Sequence, residues 1–391
     1  MTGKMFLFSW LLGSSVGLYL LLHWWRSCLK RISGLFKLNI CRTATKRAHN
    51  CVLPVLPDTH NVEDVPTSGF WSQLSNFFID DVDSFINDAL IIGSPMEMQA
   101  SLGYVFGVQG KQVRARIFHL VSQACLGSPN VALAAAVELE HSASLLHDDV
   151  VDCASTRRGR ASHCLIFGSM RSVLHGDYLV AVLVGILADL GICDITRSFG
   201  SSMEDLVRGE LMQISNHDLS GLSENEIVQR LLGIYLEKCY CKTAVLFVVC
   251  VDAAATMSTH DHIEALRELG LCMGMCFQIV DDMLDFRSEP HGLKPSDGFD
   301  LASGNATAPV IFAAKEFPEI LIPQIKRRFA LPADRSVALD LVRRSKGIEA
   351  SVQLATHYAN RAKIIIAQEF PVSEYRAALE NIVDVILNRT I

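Results

Sequence analysis

"VALAAAVELEHSASLLHDDVVD", residues 131–152, runs without a glycine or proline, and its alanine and leucine content favours a long helix. On a helix, Asp148 and Asp152 stand one turn apart and project from the same face. His141, seven residues before Asp148, is two turns back on that face. Like charges stacked in this way repel by roughly a few tenths of a kcal/mol in water, and by more where the dielectric falls. Something must neutralise them. The same pattern recurs in "FQIVDDMLDF", residues 277–286, as Asp281, Asp282 and Asp285, with Asp149 the counterpart of Asp282 in the first set.

Solvent, basic side chains or divalent cations could supply the neutralising charge, and a single acidic turn is most often solvated. The neighbours argue otherwise. Leu145, Leu146, Val150 and Val151 around one set, and Phe277, Ile279, Met283, Leu284 and Phe286 around the other, are expected to bury most of each helix. Carboxylates removed from bulk water need partners. Oxygen-only donor sets select hard ions, and Mg²⁺ binds through one or two carboxylates, waters and phosphate oxygens.

The basic residues point the same way. "GKQVRAR" supplies Lys111 and Arg114, "TRRG" supplies Arg157 and Arg158, and "CKTAVLF" supplies Lys242 beside Thr243. Arginine binds phosphate bidentately, whereas lysine acts as a point charge. Each cluster alone reads equally well as surface ion pairing. Together with two aspartate sets they describe a receptacle for a diphosphate.

Outward from these stretches, apolar residues recur at helical spacing from about Trp71 onward, as in Phe78, Val82, Phe85, Ile86 and Leu90, and strand-like alternation is rare. An all-α bundle with a central cavity is expected, as one domain over residues 65–391. Leu179–Leu190 and Val245–Val251 are apolar nearly all round and are expected at its centre. With 391 residues, half of them hydrophobic, the chain can bury a large core. A net charge of −7 argues against nucleic acid as a partner. The twelve cysteines lack the spacing of a zinc site or a disulfide framework and are expected to be free thiols.

Residues 1–60 form a separate leader. "MFLFSWLLGSSVGLYLLLHWW" (Met5 to Trp25) is about long enough to span a bilayer, basic residues from Arg26 to Arg47 follow it, and no acidic residue precedes Asp58. This composition is that of a mitochondrial import sequence, with matrix or inner-membrane association expected; the rival reading is an endoplasmic-reticulum signal anchor.

The order "GKQVR", "DDVVD", "RRG", "KTA", "FQIVDDMLDF" resembles that of the trans-isoprenyl diphosphate synthases. The resemblance runs from about residue 75 to the C-terminus and is strongest to the long-chain branch, in particular the catalytic subunit of decaprenyl or solanesyl diphosphate synthases, through "NATAPVIFAAKEFPEILIPQIKRRFALP". It implies Mg²⁺ at Asp148, Asp149, Asp152, Asp281, Asp282 and Asp285. An allylic diphosphate such as farnesyl or geranylgeranyl diphosphate would lie on Arg157, Lys242, Thr243 and Gln278, and isopentenyl diphosphate on Lys111, Arg114, His141 and Arg158. The small Ala143 and Ser144, one turn before Asp148, with Ala134, Ala135 and Ala136 further back, would leave room for a long product of the kind that becomes a ubiquinone side chain. The implied assembly is a homodimer or a heteromer with a second synthase subunit. Ala115 stands where the family has proline, the loop holding Lys294 is longer by a residue, and Asn305 replaces a lysine. Two rival functions are a terpene cyclase, which the second acidic turn and "GKQVR" oppose, and a non-catalytic regulatory subunit, which the six retained aspartates oppose.

Overall fold

The computed structural model describes residues 76–389 apart from 92–93, 108–109, 126–128, 216, 259–261 and 287–297. These all belong to one compact unit, Leu56–Ile391. The leader, the boundary expected near residue 60 and Lys294 lie outside the described residues.

Helices α1 (Asn76–Ile91), α2 (Met96–Phe106), α3 (Val113–Cys125) and α4 (Val131–Val151) lead into a two-stranded antiparallel hairpin, β1 (Thr156–Arg157) and β2 (Arg160–Ala161). After it come α5 (His163–Phe167), α6 (Ser169–Leu190), α7 (Cys193–Ile214) and α8 (Glu224–Cys239). A π-helical turn, Tyr240–Ala244, joins α8 to α9 (Val245–Met257), and α10 (Ile263–Leu284) follows. The chain closes with α11 (Phe299–Ala302), α12 (Ala308–Ala313), α13 (Pro318–Lys326), α14 (Asp334–Arg344), α15 (Gly347–Glu369) and α16 (Glu374–Asn388).

Local chemistry starts the helices that matter for the site. The Asn130 side chain accepts from the Leu133 amide at 3.0 Å and begins α4. Ser223 and Glu226 close a capping box on α8. α9 is apolar on every face over Val245–Val251 and lies at the centre, against α3, α7 and α10. Phe118, Phe199 and Phe247 are fully buried there, each stabilising the fold by about 1.5–3 kcal/mol relative to exposure. α4 packs against α1 and α6, and α10 against α15.

The π-helical turn is clasped by α7 and α10. Gly274 on α10 permits this, because a Cβ there would fall 2.4 Å from Ala244 Cα. A π-turn holds one more residue than an α-turn and redirects the side chains it carries. Here those side chains are Lys242 and Thr243.

Two expectations need correction. α6 is not central: Ser172, His175, Leu179, Leu183 and Leu187 face the core, while Met170, Val173, Leu174 and Val184 remain exposed. Among the described residues no element covers its apolar outer face. Nor is the first aspartate set enclosed by its apolar neighbours, since Val151 is 51 % exposed and only Leu146 of the four is buried. The second set is enclosed only at Asp282, which is buried with Ile279, Met283 and Phe286, while Asp281 is exposed.

Candidate active site

α4 carries His141, Ala143, Ser144, Asp148 and Asp149 on one continuous helix and ends on Asp152, whose amide donates to the Asp148 carbonyl at 2.8 Å. Each carboxylate of this set is engaged. The Arg157 fork donates from Nε to Asp149 Oδ1 at 2.8 Å and from Nη2 to Asp148 Oδ2 at 3.2 Å. Lys242 Nζ lies 3.2 Å from Asp148 Oδ1 and 2.8 Å from Glu210 Oε1, and donates to Gln213 Oε1 at 2.9 Å. Gln213 Nε2 in turn donates to Asp152 Oδ1 at 3.1 Å. Burial, and then the charge of Asp148, hold the Asp152 carboxyl above its usual range. Burial opposes the Lys242 ammonium, but Asp148 and Glu210 outweigh it and keep the group charged.

The residue beside Lys242 reaches the other set. Thr243 Oγ1 donates to Gln278 Oε1 at 2.6 Å, and Gln278 Nε2 donates to Asp282 Oδ1 at 2.7 Å. Asp282 also accepts from the Tyr235 hydroxyl at 2.6 Å. Burial pushes the Asp282 carboxyl up to about 6. Adjacent residues of one π-turn therefore tie the end of α4 to the end of α10. Asp281, by contrast, is exposed and accepts from Arg389 Nη2 at 2.8 Å. The Asp285 oxygens accept from the Phe299 and Asp300 amides at 3.0 and 3.1 Å.

A pocket of about 190 Å³ opens beside these acids and is lined by Lys111, Arg114, His141 and Arg158, the four residues assigned by resemblance to one substrate. The hairpin places Arg158. Its two central residues, Arg158 and Gly159, both have positive φ (52° and 73°), the geometry of a tight hairpin turn. The Arg158 guanidinium then lies against the backbone of Gly110, where a Cβ would meet its Nη2 at 2.9 Å. A side chain at residue 110 would have to displace that guanidinium. Arg114 is 9 % exposed, sits over the Phe247 ring at 4.9 Å, and its Nε has no hydrogen-bond acceptor among the described residues. Burial and then Arg114, Arg158 and Arg157 hold His141 well below its ordinary value, so it is a neutral donor. Four cations, Lys111, Arg114, Arg158 and Arg389, thus line the pocket against one acid, Glu138, whose carboxyl burial holds above its usual range.

Sequence reasoning missed four participants. Glu210 and Gln213 sit on α7 at helical spacing, a polar pair whose side chains converge on Lys242; that spacing was the available signal. Tyr235 lies one turn before Cys239 on an otherwise apolar face. Arg389 gave no signal: it is over a hundred residues from Asp281 in sequence, yet it lines the pocket and stacks 3.9 Å from the Phe277 ring. Ala143 is buried on α4, and Ser144 Oγ donates to the His141 carbonyl at 2.8 Å.

The donor set fits a hard cation. Asp152 and Asp282 are both held above their usual range with no lysine or arginine in hydrogen-bond contact, and among the described residues no group of three His, Cys, Asp or Glu side chains is gathered closely enough to hold a metal alone. Carboxylates in that condition suit Mg²⁺, which completes its shell with water and phosphate oxygens.

Comparison with known proteins agrees with this geometry. The family model for polyprenyl synthetase matches residues 95–342. The chain is 33 % identical over 366 residues to a human all trans-polyprenyl-diphosphate synthase, covering 90 % of this chain and 83 % of the human one. It is 37 % identical over 266 residues to the mitochondrial solanesyl-diphosphate synthase 1 of Oryza sativa subsp. japonica, covering 66 % and 60 %. Among solved structures it is similar to the polyprenyl synthase of Caulobacter crescentus complexed with calcium and isoprenyl diphosphate, with a TM-score of 0.72 and 31 % identity over 84 % of this chain and 99 % of that one. With the family model spanning both aspartate turns, and those turns joined through Lys242 and Thr243, the chain belongs to the polyprenyl synthetase family of all-α prenyltransferases.

Proposed function

We propose that this chain is the catalytic subunit of a long-chain trans-polyprenyl diphosphate synthase, adding isopentenyl diphosphate repeatedly to a farnesyl or geranylgeranyl diphosphate primer. The observation that carries the reading is the reach of Lys242 and Thr243 to opposite aspartate turns beside a separate cationic pocket. One diphosphate would lie on Arg157, Lys242, Thr243 and Gln278. The other would lie on Lys111, Arg114, His141, Arg158 and the newly found Arg389.

Asp148, Asp152 and Asp281, with Asp149, Asp282 and Asp285 beside them, would hold Mg²⁺. When bound, the metal supplies charge neutralisation for the departing diphosphate. Arg157 and Lys242 add fixed positive charge at the same place, where charge develops as the allylic C–O bond breaks and its electron pair leaves with the diphosphate. The double bond of isopentenyl diphosphate supplies the electrons of the new C–C bond. The resulting cation loses a proton to the departed diphosphate, and a trans double bond forms. Neutral His141 donates a hydrogen bond without adding charge.

Purified protein given Mg²⁺, primer and labelled isopentenyl diphosphate should yield a long linear diphosphate by mass spectrometry. A cyclic hydrocarbon would indicate a cyclase, and inactivity relieved only by a second subunit would indicate a heteromer. Ala143→Phe is expected to shorten the product, because a bulky ring near the first aspartate turn obstructs the growing chain; unchanged length would remove Ala143 from the channel wall. A quinone side chain is the proposed fate of the product. The basic leader composition and the mitochondrial rice relative support a mitochondrial location. The exposed apolar side chains of α6 and α7 support a homodimer.

A further inference from the structure

Among the described residues, five that are not glycine adopt positive φ: Gln112, Cys153, Arg158, Arg328 and Phe329. Such residues are strained, and strain persists where the surrounding structure compels it. The first three adjoin the site, next to Lys111, next to Asp152, or in the pocket itself. The last two follow α13, far along the chain.

There α13 ends in a left-handed turn: the Phe329 amide donates to the Gln324 carbonyl and the Arg328 amide to the Ile325 carbonyl, both at 2.9 Å. In this ending the first left-handed position is ordinarily glycine. Arg328 occupies it with φ 55°. The choice of a strained arginine over an unstrained glycine means that its side chain is needed. That side chain reaches α7, donating from Nη2 to the Gln213 carbonyl at 3.1 Å and from Nη1 to the Ile214 carbonyl at 3.3 Å. These carbonyls belong to the last turn of α7, where no intrahelical donor serves them and a cation complements the helix dipole. The turn that presents Arg328 is itself braced, since Phe329 is buried and Arg327 Nε donates to Asp334 Oδ2 at 2.8 Å.

Gln213 is the residue whose side chain joins Lys242 to Asp152. We propose that Arg328 is a positioning residue: its capping of α7 fixes Gln213, which sets Lys242 and Asp152 for the allylic diphosphate. The inference rests on the reading of that subsite given above.

Thermal unfolding and binding of inorganic diphosphate with Mg²⁺, followed by calorimetry, separate this role from a general structural one. Arg328→Gly relieves the left-handed strain while removing the cap. Its Tm is expected at or above that of the wild type, while the Kd for magnesium diphosphate and the KM for farnesyl diphosphate rise roughly three- to tenfold, as small misplacements of binding groups do. The KM for isopentenyl diphosphate should stay unchanged. In a Gln213→Ala background the Arg328→Gly substitution should add nothing, because both act through one side chain. Wild-type affinity in Arg328→Gly, additive effects in the double variant, or a lowered Tm with equal damage to both substrates would each overturn the proposal. Lys242→Ala, run alongside, is expected to weaken diphosphate binding at least about tenfold; if it does not, the subsite reading falls together with the inference, whereas failure of Arg328→Gly alone leaves that reading standing.

Discussion

Glu140 shows how a single buried residue contributes to the pH dependence of the fold. It is 2 % exposed, accepts a hydrogen bond from Ser202 Oγ at Oε1, and its Oε2 has no partner among the described residues. Burial pushes its carboxyl up to about 8. In the unfolded chain the same group ionises near 4.3. The native state therefore binds more protons between these values, so its contribution to stability is complete below the lower one and is lost as pH rises through the upper one. Glu140→Gln, which cannot ionise, should flatten the fall in Tm expected of the wild type between about pH 4.3 and about pH 8; parallel profiles for the two proteins would show that Glu140 is already ionised in the fold. Arg389 acts at the same scale. Its guanidinium bonds Asp281 and the Phe277 carbonyl and faces the cationic pocket. A charge-assisted hydrogen bond is worth about 1.5–3 kcal/mol, so Arg389→Ala should raise the KM for isopentenyl diphosphate roughly tenfold or more, with little change for the primer. Steady-state kinetics with each substrate varied in turn would expose an equal effect on both, which would place Arg389 outside the pocket's recognition set.

The element on which the site turns is the π-helical Tyr240–Ala244, and its position depends on the bare backbone of Gly274. Gly274→Ala would put a methyl 2.4 Å from Ala244 Cα and 3.1 Å from the Phe247 ring, neither able to yield cheaply inside the core. Overpacking of this kind costs about 1–3 kcal/mol. Lower stability is expected together with a larger fall in kcat than in isopentenyl diphosphate affinity, because the displaced turn carries Lys242 and Thr243. Retained kcat with lowered Tm would show that the turn tolerates the shift. The helices themselves were legible from the sequence, since residues such as Val82, Ile86 and Leu90 recur at helical spacing and do face the core. The grouping of Lys111, Arg114, His141 and Arg158 came instead from the family resemblance, and the four line one pocket. The π-turn was not legible, because an extra residue per turn leaves no mark in apolar periodicity when Val245–Val251 is apolar on every side. The placement of α6 was misjudged for a related reason. An apolar outer face reads as core whether another element of the chain covers it or another molecule does.

At the scale of the whole molecule, α7 too presents exposed apolar side chains, with Val207, Leu211 and Ile214 61 %, 55 % and 57 % exposed. Spaced four and three residues apart, they form one stripe along the helix. Glu210 and Gln213, interleaved with them, turn inward to Lys242. One helix therefore presents an apolar stripe to the outside and the Lys242 partners to the site. Apolar stripes of this kind mark interaction surfaces, and a second copy of the chain laid against it would bury the stripe and stiffen α7 from outside. A charge placed in the stripe should disrupt both effects. Leu211→Glu is expected to halve the mass found by light scattering and to lower kcat with it, while far-ultraviolet circular dichroism stays helical. A monomer of full activity would separate assembly from the site, and an intact dimer would move the interface off α7. If wild-type protein is monomeric alone but forms a defined complex with a second synthase subunit that Leu211→Glu abolishes, the same stripe serves a heteromer. The coupling argument is then unchanged, because it depends on α7 having two faces rather than on which chain covers the outer one.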